Sequence, residues 1–119
     1  MIVADDDVSV REQVRRALND APDLELIATA RDGAEAWRYA LELSPDVLVL
    51  DDTIVDGLGL LARLREEAPD VRIVMYVENP TNCIEAAEMG ADGCVAKDWP
   101  LDALLSMIRR SGTAARNRL

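Results

Sequence analysis

The chain has 119 residues, half of them hydrophobic, which suffices for one domain with an ordinary core and leaves no room for a second. Its 23 acidic residues against 13 Lys plus Arg give a net charge of -10, so the chain by itself is not expected to bind nucleic acid or an anionic membrane. It has no His, which excludes His-ligated zinc and any Ser-His-Asp or Cys-His catalytic triad.

The first residues, Ile2-Val3-Ala4, read as a short buried strand and run straight into Asp5-Asp6-Asp7, unlike a signal peptide. Val8, Val10, Val14, Ala17 and Leu18 then recur at helical spacing up to the breakers around Pro22. Leu24, Leu26 and Ala28 alternate as a second strand, and a helix from about Ala34 to Leu43 buries Ala36, Trp37, Ala40 and Leu41. Val47-Leu48-Val49-Leu50 is a continuous apolar run stopped by Asp51, the pattern of a strand covered on both faces.

A third helix is expected from about Leu58 to Glu67 and a fourth strand over Val71 to Tyr76. A fourth helix covers roughly Thr81 to Met89, with Thr81 as its N-cap and Gly90 suited to its C-terminal cap. Gly93-Cys94-Val95-Ala96 makes the fifth strand, and Pro100 opens a last helix to about Arg110. The domain is expected over 1–110, with 111–119, including Arg116 and Arg118, as the start of a linker. No stretch approaches a membrane span, so a soluble cytoplasmic domain is expected. Cys83 and Cys94 lack the CxxC spacing of metal or redox motifs and read as two small buried hydrophobes in a reducing cytosol.

Strict alternation of strand and helix predicts an α/β doubly wound (βα)5 fold, a parallel five-stranded sheet with helices on both faces. In such folds the site lies beyond the carboxyl ends of the strands. Asp5 and Asp6 end the first strand, Asp51 the third and Lys97 the fifth, so all four should converge on one rim. Lys97 is also the only lysine in the chain. Carboxylates gathered without counter-charge repel one another, and an oxygen-only donor set suits Mg²⁺. An Asp beside Mg²⁺ and a Lys is suited to attack a phosphoryl group, forming and later hydrolysing an acyl phosphate. The bland reading of Asp5, Asp6 and Asp7 is that they cap the first helix.

Several segments together resemble the receiver domain of response regulators in bacterial two-component signalling. They are Ile2 to Asp7 with Val10-Arg11, Asp32 to Ala36, Ser44 to Asp51, Gly90 to Gly93, and Val95 to Asp98. Ending in Lys97-Asp98 rather than Lys-Pro makes the chain most similar to receivers of LuxR-type regulators. The resemblance implies the flavodoxin-like strand order 2-1-3-4-5 and Asp51 as phospho-acceptor. It further implies Mg²⁺ held by Asp5, Asp6, Asp51 and the Thr53 backbone carbonyl, and Lys97 paired with the phosphoryl oxygens. A histidine kinase or phosphotransfer protein is the implied donor. A homodimer through helix 4, strand 5 and helix 5, and a DNA-binding output domain C-terminal to this chain, are the other implied partners. Such a domain is not an enzyme beyond its own phosphorylation and dephosphorylation.

The chain departs from the family where the signal normally leaves the site. The Thr or Ser at the end of strand four falls on Val77 counting forward and on Met75 counting back from Gly90. Cys94 stands at the usual Phe or Tyr of strand five, and Ile54-Val55 replaces Met-Pro in the loop after the acceptor. If Val77 is the hydroxyl position, Glu78 stands where a small residue is usual and is expected to crowd Asp51. These departures keep a second reading open, a phosphorylation-independent receiver acting as an interaction module. A third, a phosphatase similar to the haloacid dehalogenases, would need a second Asp where Thr53 stands.

Overall fold

The computed structural model describes residues 1–54 and 57–116, with side chains for all of these except 57–58 and 111–116. Five parallel strands lie in the order β2-β1-β3-β4-β5: β1 (Ile2–Ala4), β2 (Ala28–Ala30), β3 (Val47–Asp51), β4 (Arg72–Val77) and β5 (Gly93–Ala96). Helices α1 (Val8–Asn19), α2 (Gly33–Leu43), α3 (Gly57–Glu67), α4 (Asn82–Glu88) and α5 (Leu101–Arg116) connect or follow them. Among the described residues no helix is long and apolar enough to cross a membrane.

The continuous apolar run of β3 is explained by its place in the sheet. It lies between β1 and β4, and all five of its residues are buried. Val47 and Val49 face one core with Val14, Leu18, Leu104 and Ile108 of α1 and α5. Leu48 and Leu50 face the other, with Ala36, Ala40, Leu61 and Leu64 of α2 and α3. Alternation of side chains across a strand therefore feeds two hydrophobic layers from one segment.

Three expectations shift. The second strand starts at Ala28, which pairs with Ile2, the first residue of β1. Leu24 and Leu26 instead pack half-buried against the α1–α5 core. The fourth strand runs on to Val77, whose carbonyl accepts from Lys97 N–H at 2.7 Å. Helix α5 continues past Arg110 to Arg116. Val55 and Arg118 lie outside the described residues.

The reading of Cys83 and Cys94 as separate buried hydrophobes is overturned, since they form a disulfide with Cα atoms 5.6 Å apart. Their separation of 11 positions conceals this. The turn after α4 sends the chain back into β5, antiparallel to the helix, and brings the two sulfurs together. Gly90 makes that turn at φ +100°, where a Cβ would also meet Arg65 Cγ and Cδ at 2.9 Å.

Candidate functional site

The carboxyl ends of β1 and β3, with the segment just after β5, bring Asp5, Asp6, Asp51 and Lys97 together, as the strand order requires. One carboxylate oxygen from each of Asp5, Asp6 and Asp51 lies within 4.8 Å of the other two. Asp5 and Asp51 are buried while Asp6 is exposed. Lys97 Nζ bridges the buried pair, 2.8 Å from Asp51 Oδ1 and 2.9 Å from Asp5 Oδ2. Asp7 takes the capping role, accepting from Ser9 N–H at 2.8 Å, and its own N–H donates to Asp5 Oδ1 at 2.9 Å. The three aspartates thus divide the work, one capping α1 and two facing the rim.

Thr53 is tied to Asp51 by two bonds that the sequence did not foretell. Its N–H donates to Oδ1 at 3.1 Å and its hydroxyl to Oδ2 at 2.6 Å. Tyr76 was also missed. It pairs with Asp51 in the β3–β4 ladder, and its ring lies 5.9 Å from Lys97 Nζ.

Burial is the largest influence on Asp51 and would raise its pKa, but hydrogen bonds from Lys97 and Thr53 outweigh it and hold the carboxyl below its usual value. At Asp5 burial prevails over the Asp7 N–H and Lys97, and the pKa is raised. Burial opposes the charge on Lys97, yet the bonds to both aspartates carry its pKa well above the ordinary lysine value. Asp5 Oδ2 is buried, and Lys97 Nζ at 2.9 Å is the contact given for it among the described residues. Three carboxylates against one ammonium leave an excess of negative charge, and one oxygen has spare coordinating capacity. That donor set fits a hard divalent cation.

Beyond Asp51, Asp52 reaches across to the loop between β4 and α4. Its carboxylate accepts from Glu78 N–H at 3.3 Å and from Asn82 Nδ2 at 2.6 Å. Glu78 is exposed, so it does not crowd Asp51 as expected. The register decides between Val77 and Met75. Val77 ends β4 beside Ala96, while Met75 lies within the strand opposite Cys94. Thr81 takes the N-cap position without a side-chain cap bond, its hydroxyl donating instead to Asn79 Oδ1 at 2.9 Å.

Residues 1–109 match the family described as the response regulator receiver domain. The chain is 34% identical over 114 residues to the oxygen regulatory protein NreC of Staphylococcus epidermidis, an alignment covering 92% of this chain and 52% of that protein. It thus spans about half the length of the curated relatives it matches. A LuxR-family two-component response regulator from Aurantimonas sp. SI85-9A1 superposes with a TM-score of 0.88 at 28% identity, covering 95% of this chain and 84% of that one. The receiver domain of the putative response regulator NarL from Mycobacterium tuberculosis gives 0.82 at 27% identity, covering 98% and 95%. With the flavodoxin-like sheet order and the acidic rim, these matches identify the chain as a member of the response-regulator receiver family, a receiver domain of two-component signalling.

Proposed function

We propose that Asp51 is the phospho-acceptor and that Asp5, Asp6, Asp51 and the Thr53 backbone carbonyl hold Mg²⁺. The observation that carries this reading is Lys97 Nζ bridging Asp51 and Asp5 at 2.8 and 2.9 Å. A carboxylate oxygen of Asp51 attacks phosphorus of a phosphohistidine or small acyl phosphate. The bond from phosphorus to the donor breaks, and the donor leaves with that electron pair. Lys97 then exchanges its contact with Asp51 for the phosphoryl oxygens and stabilises their charge. Bound Mg²⁺ supplies further neutralisation of the charge that the carboxylates and the phosphoryl group bring together. Thr53 orients Asp51 through its two bonds. Hydrolysis of the acyl phosphate resets the site, and no other enzymatic activity is assigned.

With Val77 lacking a hydroxyl, the route out of the site is Asp52. It adjoins the acceptor and holds both Glu78 and Asn82, so charge added at Asp51 bears directly on the β4–α4 loop. The donor is a histidine kinase or phosphotransfer protein in the cytoplasm. The output is a C-terminal DNA-binding domain, with a homodimer through α4, β5 and α5, where Ile84 and Trp99 are exposed. The missing hydroxyl and the disulfide at Cys94 favour one alternative, an interaction module independent of phosphorylation.

Intact mass after incubation with Mg²⁺ and acetyl phosphate separates the two. The expected result is a single phosphoryl adduct, absent from Asp51→Asn. No adduct on the parent chain would leave the interaction module standing.

A further inference from the structure

The disulfide joins the first turn of α4 to the middle of β5, next to the segment that Asp52 holds. We propose that Cys83 and Cys94 form a reversible thiol–disulfide gate on this receiver. Oxidised, the bond ties α4 to β5 and blocks the movement that a phosphoryl group on Asp51 drives; reduced, it releases α4. The gate rests on the Asp51 reading above and adds a second input to it.

Little else holds α4. It has seven residues, fewer than a helix needs to persist unaided, and Ala86 is its one buried residue. Ile84 is 69% exposed, and Thr81 provides no side-chain cap bond. The two restraints at its start are adjacent in sequence. Asn82 is bonded to Asp52 beside the acceptor, and Cys83 is bonded covalently to a strand. Cys94 in turn sits in the β4–β5 ladder opposite Met75, which is fully buried, so the strand side of the bond is a rigid anchor. A displacement starting at Asp51 and Asp52 reaches α4 through Asn82, and its next residue is free to follow only when the sulfur bond is open.

The chemistry is two-electron exchange with a low-molecular-weight thiol. A thiolate attacks one protein sulfur, forming a mixed disulfide and releasing the other cysteine as a thiolate that takes a proton. A second thiol molecule then displaces the remaining cysteine, leaving the protein with two thiols and the small molecule as its own disulfide. The reverse sequence closes the bond. Both cysteines are half-buried rather than sealed in the core, which gives a small thiol access. In a compartment that keeps thiols reduced, a disulfide of this kind is transient and signalling rather than permanent.

The full chain is equilibrated in oxidised and reduced glutathione buffers, and peptide mass mapping reads the Cys83–Cys94 cross-link. Each form is then treated with acetyl phosphate and Mg²⁺, and hydrogen exchange is followed over residues 78–89. Both forms should take the phosphoryl adduct to the same extent. Exchange in α4 should rise about tenfold on phosphorylation of the reduced form and stay unchanged in the oxidised form. Cys83→Ser and Cys94→Ser should behave as the reduced protein in either buffer. An equal α4 response in both redox states overturns the gate, as does absence of the cross-link in oxidised buffer. If neither form takes the adduct while α4 exchange still differs between them, the Asp51 reading has failed and the gate fails with it.

Discussion

Two clusters of charged side chains lie at opposite ends of the sheet, and their balance is reversed. At the carboxyl ends, Lys97 pairs with both Asp5 and Asp51 while Asp6 lies beside them, and Arg11 meets only the Asp5 carbonyl. At the other end Asp92 sits between Arg65 at 3.2 Å and Arg72 at 3.8 Å and accepts from Ile73 N–H at 2.9 Å. Arg65 also donates to the Val71 carbonyl. The second cluster is closed around its acid, which cations and backbone match, and it ties α3, β4 and the turn before β5 together; its surplus charge is positive. The first is open, with more acid than the protein neutralises. Burial and ion pairing alone therefore do not mark a site; surplus acid able to take a cation does.

Removing Lys97 tests the open cluster and should give the largest effect. Lys97→Ala should slow adduct formation from acetyl phosphate by about 100-fold or more, the scale for losing one preorganised charge at a transition state. It also leaves Asp5 and Asp51 buried without a cation, so the variant should be less stable and should recover stability on adding Mg²⁺. A thermal melt with and without the metal reads both. Stability indifferent to Mg²⁺ would mean that the rim does not take the ion.

The closed cluster should respond in the opposite sense. Asp92→Ala removes the carboxylate shared by two largely buried arginines, and should cost about 3 kcal/mol, with a fall in Tm on the order of 10 °C. The rate of adduct formation, measured well below that Tm, should stay within about twofold of the parent. A large loss of phosphorylation at unchanged stability would erase the distinction between the two ends.

The disulfide lies between these extremes, covalent and one residue from Asn82, which Asp52 holds. Reducing it should lower stability by about 2 kcal/mol, at the low end for a loop this short. A denaturant melt in oxidised and reduced glutathione measures the difference.

How far the sequence foretold each region follows the same division. The strands were readable because a buried strand carries its signature within itself, as Val47 to Leu50 do by feeding two cores alternately. The convergence of Asp5, Asp6, Asp51 and Lys97 was readable because parallel strands carry their terminal charges to one edge. The Asp92 cluster and the disulfide depend instead on where α3 ends and how the chain turns back at Gly90, which no local pattern encodes. The same is true of the choice between Val77 and Met75, which needed the β4–β5 register. The Thr53 hydroxyl was hidden for another reason. The family pattern assigns that position a carbonyl, and its side chain is free to add a contact of its own.

That contact gives the smallest and most specific prediction. Thr53→Val keeps the backbone N–H but removes the hydroxyl bond to Asp51 Oδ2. Hydrogen bonds from Lys97 and Thr53 hold the folded-state pKa of Asp51 below its unfolded value, so its ionisation favours the folded state at pH above that unfolded value, about 3.9. This stability is lost as pH falls through the folded pKa. The valine variant should therefore be less stable than the parent by about 1 kcal/mol at neutral pH without Mg²⁺. The gap should narrow on acidification, because protonated Asp51 values the hydroxyl less. Paired denaturant melts across the acidic range read this directly. A gap independent of pH would mean that Thr53 contributes by packing rather than by bonding to the carboxylate.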